Sequence, residues 1–184
     1  MNKPLLLFVG KSSSGRTTIA NMLEKEHGYK QVQSYTTRPP RYDGEIGHIF
    51  VSEEEFDKLG KLAAYTLYNG HKYGTTIKQV NECDIYVIDV PGVKTLLANY
   101  KSGRPIYIIY FDASVYNRIN RMIERGDHDG AIISRLLQDE KSDWLSELRD
   151  VVSRDGRSDA WVYVVDADET PKQVIEQIFW FINF

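Results

Sequence analysis

The chain has 184 residues, of which 42% are hydrophobic and 27% are charged, and these values are usual for one folded domain with a sizeable core. Its net charge of −3 provides no general attraction to nucleic acid or to an anionic membrane surface, so we expect neither as a partner. The single cysteine, Cys83, excludes an internal disulfide and a cysteine metal site, and no apolar run approaches the roughly 20 residues that span a bilayer. Together these features predict a cytoplasmic protein.

Four short apolar runs predict buried strands, and a plausible helix follows each of them. Such alternation is typical of an α/β fold in which helices cover both faces of a central parallel sheet in three layers. The four runs are Pro4–Val9, Ile85–Val90, Pro105–Phe111 and Ala160–Val165.

A glycine-rich stretch, GKSSSGRTT, follows the first predicted strand and precedes a helix. Two glycines at this spacing allow backbone N–H groups to approach a phosphate closely. The pattern is that of a phosphate-binding loop, G-x-x-x-x-G-K-[ST], with Arg16 in place of the lysine and Thr17 where a hydroxyl would bind Mg²⁺. We therefore predict that the triphosphate of ATP contacts Gly10, Ser12, Ser13, Ser14, Gly15, Arg16, Thr17 and Thr18.

Arg16 leaves two hypotheses open for the cation of this loop. A lysine would place a compact charge against the β- and γ-phosphates, whereas arginine keeps the charge on a longer, forked side chain. Either Arg16 fills the role from a shifted position, or Lys11 reaches back to the phosphates. The other interpretation of Lys11 is a solvated loop charge.

Residues 33 to 75 interrupt the strand–helix alternation. They contain a short strand candidate, His48–Val51, and the capping-box pair Ser52 and Glu55 at the start of a short helix. Asn69-Gly70 between two strand-like runs indicates a hairpin. This stretch is predicted to be a small β-rich insert between the first helix and the second strand of the main sheet.

The second half of the chain offers an acidic strand end and two helical patterns. Asp89 ends an apolar run, as an Mg²⁺-binding acid would, although Asp112 and Asp166 end apolar runs too. Between residues 131 and 152 an apolar stripe that includes Ile133 and Leu137 predicts core packing. Before it, arginines recur at helical spacing, as on a charged helix face; they are Arg118, Arg121 and Arg125, with Arg135 on the next helix.

Several motifs in a fixed order resemble guanylate kinases. After the loop come Ser34-Tyr35-Thr36-Thr37-Arg38-Pro39-Pro40-Arg41, then Phe50–Phe56, Tyr73–Thr76 and Ile88–Val93. The resemblance implies an ATP- and Mg²⁺-dependent nucleoside monophosphate kinase built as one domain, 1–184. Its implied parts are a core (1–32 and 76–184), a monophosphate-binding insert (about 33–75) and a helical lid (about 118–135).

The resemblance also implies roles for individual residues. Arg38, Arg41 and Tyr73 match the grip on the acceptor monophosphate, and His48 stands where a tyrosine usually touches it. Thr17 and Asp89 would hold Mg²⁺, while Arg16, Arg125 and Arg135 would be catalytic. Two hydroxyl residues match positions near the base, Ser34 and Thr75.

Two departures from the family pattern bear on the acceptor base. Ala64 and Val87 stand where a glutamate and an aspartate usually accept hydrogen bonds from guanine. Phosphate transfer to GMP or dGMP remains the leading hypothesis, with small-molecule nucleotides as partners of a monomer or homodimer. The alternatives are a kinase for another monophosphate or acceptor, and a guanylate-kinase-like binding module with weak or no catalysis.

Overall fold

The structure is a computed structural model that describes residues 3–40, 43–156 and 158–182. The elements in chain order are β1 (Leu5–Val9), α1 (Arg16–His27), β2 (Ser34–Thr36), β3 (His48–Phe50), α2 (Glu53–Asp57), β4 (Leu62–Tyr68), β5 (His71–Thr76), α3 (Ile77–Glu82), β6 (Ile85–Val87), α4 (Val90–Asn99), β7 (Ile106–Asp112), α5 (Val115–Glu124), α6 (Asp129–Asp139), α7 (Trp144–Asp155), β8 (Ala160–Asp166) and α8 (Pro171–Ile182).

The central sheet has four parallel strands in the order β6-β1-β7-β8. Each of these strands is followed by a helix, so the predicted α/β fold with a parallel sheet is confirmed. The strand predicted over Ile85–Val90 is shorter in the structure, where β6 ends at Val87. It ends there because Asp89 is the N-cap of α4, and its carboxylate accepts from the Gly92 N–H.

Helices cover both faces of this sheet, and β1 lies at the centre of the core. All five β1 side chains are buried, and successive ones point to opposite faces. Leu5, Leu7 and Val9 join the cluster under α4 and α7, while Leu6 and Phe8 join the cluster under α1 and α8. The chain thus forms the predicted three layers. None of the helices that the structure describes is long and apolar enough to cross a membrane.

The smaller sheet has the order β3-β2-β5-β4, and its polar turn confirms the predicted hairpin. Asn69 and Gly70 have φ values of 48° and 77°, the pair of positive angles that a tight two-residue hairpin turn requires. The predicted capping box is also present, since Ser52 and Glu55 exchange side-chain-to-backbone hydrogen bonds at the start of α2.

The predicted core packing of Ile133 and Leu137 is wrong. These side chains are 57% and 67% exposed, respectively. The apolar stripe extends over two helices, α6 and α7, and α7 packs against the main sheet through Leu148. Helical spacing predicted an apolar face correctly but not whether another element covers it.

Candidate active site

Most of the predicted site residues line one cleft of about 1210 Å³ between the glycine loop, the smaller sheet and the α5–α6 pair. Gly10 and Thr75 are buried behind the cleft wall. Arg41 lies outside the described residues. The predicted residues that line the cleft are Ser12, Ser13, Ser14, Gly15, Arg16, Thr17, Thr18, Ser34, Arg38, His48, Tyr73, Asp89, Arg125 and Arg135.

Both loop glycines are required by the backbone. A Cβ on Gly10 would lie 2.8 Å from the carbonyl oxygen of Phe111, closer than a real Cβ approaches backbone. Gly15 has a φ of 96°, which is in the left-handed region that favours glycine. The loop is therefore wound tightly between β1 and α1.

The start of α1 has the properties of an anion site. Its N-cap is Gly15, so no side chain caps the first turn, and that turn contains no acidic residue. The helix dipole and the N–H groups of its first residues therefore face the cleft without a competing carboxylate from α1 itself. In the described part of the chain the buried Ser13 and Ser14 hydroxyls also have no hydrogen-bond partner.

The Arg16 guanidinium lies between the loop and the ends of neighbouring elements. Its Nη1 donates to the carbonyl of Ile88 at 3.4 Å. Burial lowers the pKa of Arg16, while the negative charges of Asp139 and Asp89 raise it. Because arginine remains protonated in proteins, the cleft holds a positive charge at this position.

Lys11 forms an ion pair away from the phosphate-facing part of the loop. Its Nζ lies 2.7 Å from Oε2 of Glu140, just beyond the end of α6. The Glu140 carboxylate also accepts from Arg118 Nη1 at 3.2 Å. Lys11 is therefore paired with Glu140 and does not line the cleft.

Asp89 could hold Mg²⁺ through water. Its Oδ1 accepts from the Gly92 N–H at 2.8 Å, and its Oδ2 accepts from the Thr66 hydroxyl at 3.0 Å. Each carboxylate oxygen retains a lone pair, and Thr17 lines the same cleft. Mg²⁺ in kinases binds one or two protein oxygens, waters and phosphates, so these two residues fit that ion.

Arg125 and Arg135 converge on one carboxylate. Arg125 Nε donates to Asp127 Oδ1 at 3.2 Å, and Oδ2 of Asp127 accepts from both Arg125 and Arg135. The hydrogen bond from Arg125, followed by the charges of both arginines, lowers the pKa of Asp127 despite a partial desolvation. The pairing draws two guanidinium groups together at the cleft.

On the smaller sheet, Arg38 is held in a fixed orientation. Its Nη2 and Nη1 donate to the Glu45 carboxylate at 2.8 and 3.2 Å, and its guanidinium lies 5.3 Å from the centroid of the Phe50 ring. The hydrogen bond to Glu45 is the largest contribution to a raised Arg38 pKa. Arg38 therefore presents a permanent, oriented charge beside Tyr73.

The two hydroxyl groups predicted to lie near the base already have partners. Ser34 Oγ and His48 Nδ1 are 2.9 Å apart on adjacent strands. Thr75 is fully buried, and its hydroxyl donates to Gln79 Oε1 at 3.1 Å. Ala64 is 1% exposed within the core, whereas Val87 lines the cleft.

Sequence reasoning missed a buried ion pair behind the loop. Arg118 was placed among the lid charges, but its side chain is 1% exposed and binds Asp139, which is 3% exposed. Asp139 was not singled out at all. The available signal was an acidic pair, Asp139-Glu140, at the end of a helix that follows an arginine-bearing helix.

Comparison with known proteins finds similar guanylate kinases. A guanylate kinase of Clostridium tetani is 34% identical over 139 residues, which are 68% of this chain and 65% of that protein. The guanylate kinases of Geobacter metallireducens and Streptococcus mutans are 29% and 28% identical over 72% and 76% of this chain. The chain is therefore similar to guanylate kinases over 68% to 76% of its length. The alignments span 65%, 70% and 71% of these three relatives' own lengths, and no protein-family profile matches the chain.

Solved structures of two kinases share the fold of this chain. A guanylate kinase from Anaplasma phagocytophilum aligns with a TM-score of 0.51 and 18% identity, covering 98% of this chain and 87% of that chain. A sugar kinase from Janibacter sp. aligns with a TM-score of 0.53 and 17% identity, covering 98% of this chain and 95% of that chain. At such identities the likeness concerns the fold alone.

Proposed function

We propose that this guanylate kinase homologue transfers the γ-phosphoryl group of ATP to a nucleoside monophosphate, with GMP or dGMP as the acceptor. The observation that carries the proposal is the convergence of an uncapped helix N-terminus and of oriented guanidinium groups from three elements on one cleft. Phosphoryl transfer depends mainly on positioning and charge neutralisation, and these are the properties of this site.

The donor nucleotide would bind along the loop and the first turn of α1. Backbone N–H groups and the Ser13 hydroxyl would contact its phosphates, and Arg16 would supply the loop cation. Thr17 and Asp89 would hold Mg²⁺, which neutralises phosphate charge when bound. Arg125 and Arg135 would exchange the carboxylate of Asp127 for phosphate oxygens, which offer a similar arrangement of acceptors.

The acceptor would bind against the smaller sheet. Arg38 and Tyr73 would hold its monophosphate with help from His48, because a guanidinium and hydrogen-bond donors suit a dianion. The role of Arg41 remains a prediction from the sequence. Ser34 lies on the base side of the cleft, and Thr75 would act there only by giving up its bond to Gln79.

The proposed division of the chain follows from the same geometry. We infer that the insert, 33–75, and the lid, about 118–135, close on a core formed by 1–32 and 76–184. Closure would exclude water and bring the arginines of the lid toward the loop. Amide hydrogen exchange that slows in the insert but not in the lid upon GMP binding, and in the lid but not in the insert upon MgATP binding, would support this division.

The proposed activity is tested by measuring ADP formation from MgATP with each nucleoside and deoxynucleoside monophosphate in turn. We expect turnover with GMP and dGMP. Turnover with another monophosphate in their place would retain the kinase and refute the guanine assignment. Measurable GMP binding without turnover on any acceptor would instead favour a binding module.

A further inference from the structure

A buried ion pair joins the two arginine-bearing helices behind the glycine loop. Arg118 lies in α5 and Asp139 is the last residue of α6, and their Nη2 and Oδ2 atoms are 2.5 Å apart. Both side chains are almost fully buried, so water screens their interaction very little. The pair therefore fixes the base of the α5–α6 hairpin.

This pair binds every polar group of Ser12. The Ser12 N–H donates to Asp139 Oδ2 at 2.8 Å, and the Ser12 hydroxyl donates to Oδ1 at 3.1 Å. The Ser12 carbonyl accepts from Arg118 Nε at 3.0 Å. Side chains of α5 and α6 thus bind the N–H, the hydroxyl and the carbonyl of one residue of the glycine loop.

The residues beside Ser12 are held from the same direction. Lys11 pairs with Glu140, and the Ser13 carbonyl accepts from Arg121 Nη1 at 3.4 Å. From Gly15 onward, no side chain caps the start of α1, and no side chain of the described residues donates to a backbone carbonyl of Gly15 to Thr18. The first half of the loop is therefore held by side chains of other elements through hydrogen bonds and an ion pair, whereas the second half is not.

We propose that Arg118 and Asp139 are positioning residues that set the shape of the loop for triphosphate binding and couple that shape to the lid. This inference rests on the proposed kinase function. Movement of α5 or α6 is transmitted to Ser12 through four hydrogen bonds or ion contacts within one buried network. Neither residue touches a substrate in this role; both act through the loop.

A role in stability alone does not account for this arrangement. Replacing a buried ion pair by apolar residues of similar volume is often neutral or stabilising, so the pair is a poor way to stabilise a fold. Here the Asp139 carboxylate accepts hydrogen bonds from the loop directly. Its charge also raises the pKa of Arg16, in opposition to burial, which lowers it.

The test compares MgATP and GMP dissociation constants by calorimetry for the wild type and Asp139→Asn. Because a misplaced Ser12 alters only the donor site, we expect MgATP affinity to fall by about tenfold, a typical size for coupling between elements, with GMP affinity unchanged. The double variant Arg118→Met with Asp139→Val removes both charges, keeps the core filled and should show the same selective loss.

A second ion pair provides the matched control. Arg104 and Asp84 are partly buried, at 12% and 17% side-chain exposure, and their contacts lie outside the cleft. Asp84→Asn should lower the melting temperature and leave both dissociation constants unchanged.

Folded Asp139 variants that bind MgATP as tightly as the wild type would overturn the positioning role. The same conclusion would follow if MgATP and GMP affinity fell together. A wild-type protein that binds MgATP but transfers no phosphate would refute the kinase function alone, whereas a wild type that does not bind MgATP would overturn both.

Discussion

The proposed phosphate side and the proposed base side of the cleft differ in how they are built. On the phosphate side, arginines from α1, α5 and α6 each face a carboxylate, and the loop is clamped through Ser12. On the proposed base side, the Ser34 hydroxyl bonds to His48 within the smaller sheet and the Thr75 hydroxyl bonds to Gln79 in α3. Ala64 and Val87 provide no acceptor there.

This difference separates two requirements of a nucleotide kinase. Transfer of a phosphoryl group depends on charge and position, which this chain supplies through a dense polar network. Selection of a base depends on unpaired groups that only the right base satisfies, and a site with few such groups rejects analogues weakly. We therefore expect phosphate chemistry to be more sensitive to substitution than base choice.

Arg16→Ala is expected to have the largest effect. Removing the loop cation should lower kcat by about a thousandfold or more, because the charge on the transferring group loses its nearest cation. Steady-state ADP formation at saturating MgATP and GMP measures the effect. Arg16→Lys is the control and should preserve or raise turnover; loss of activity in that variant would show that the loop is built around the guanidinium.

Single removal of a lid arginine should have the next largest effect. Arg125→Ala or Arg135→Ala should lower kcat by about a hundredfold, as for other preorganised donors in active sites, with the KM for GMP nearly unchanged. Arg154→Ala is a suitable control, because Arg154 is exposed on α7 and does not line the cleft. A rise in the KM for GMP without loss of kcat would contradict a lid role.

Substitution on the proposed base side should change the selectivity between bases by a smaller factor. IMP lacks the exocyclic amine of GMP. The kcat/KM values for GMP and IMP should differ by no more than about tenfold, because Ala64 and Val87 stand where acidic side chains would accept hydrogen bonds from guanine. Val87→Asp should widen the ratio by about tenfold, since this side chain lines the cleft. Strong rejection of IMP by the wild type would reveal an acceptor elsewhere in the site.

Asp127→Asn should have a small effect, and it should strengthen MgATP binding instead of weakening the function of the site. The substitution removes the anion that Arg125 and Arg135 bind, so MgATP should bind about two- to fivefold more tightly, the usual range for a partly exposed ion pair. Calorimetric titration measures the dissociation constant. Weaker binding would mean that Asp127 orients the arginines more than it competes with phosphate.

The smallest expected effect is on how the free energy of unfolding depends on pH. Hydrogen bonding from Lys11, and then from Arg118, lowers the pKa of Glu140 below its ordinary value. A lowered folded-state pKa means that the contribution is fully present above the unfolded pKa, about 4.3, and is lost as the pH falls through the folded value. Urea midpoints of wild type and Glu140→Gln should therefore differ slightly at pH 7 and converge in acid; a constant difference would contradict this account.

Local features were predictable from the sequence alone. The four buried strands, the loop glycines, the Asn69-Gly70 turn and the capping box at Ser52 depend on backbone conformation and on residues close in sequence. Such features follow from sterics and local hydrogen bonding, which do not need the rest of the fold.

The tertiary structure decided which side chains meet. Asp139 reaches Ser12 over 127 positions of sequence, and Thr75 is buried on Gln79 instead of open to the cleft. The exposure of Ile133 was likewise set by the absence of a covering element among the described residues. Periodicity and spacing specify a face or a loop, whereas burial and long-range pairing depend on how the elements pack, and at this site that packing joins α5 and α6 to the glycine loop.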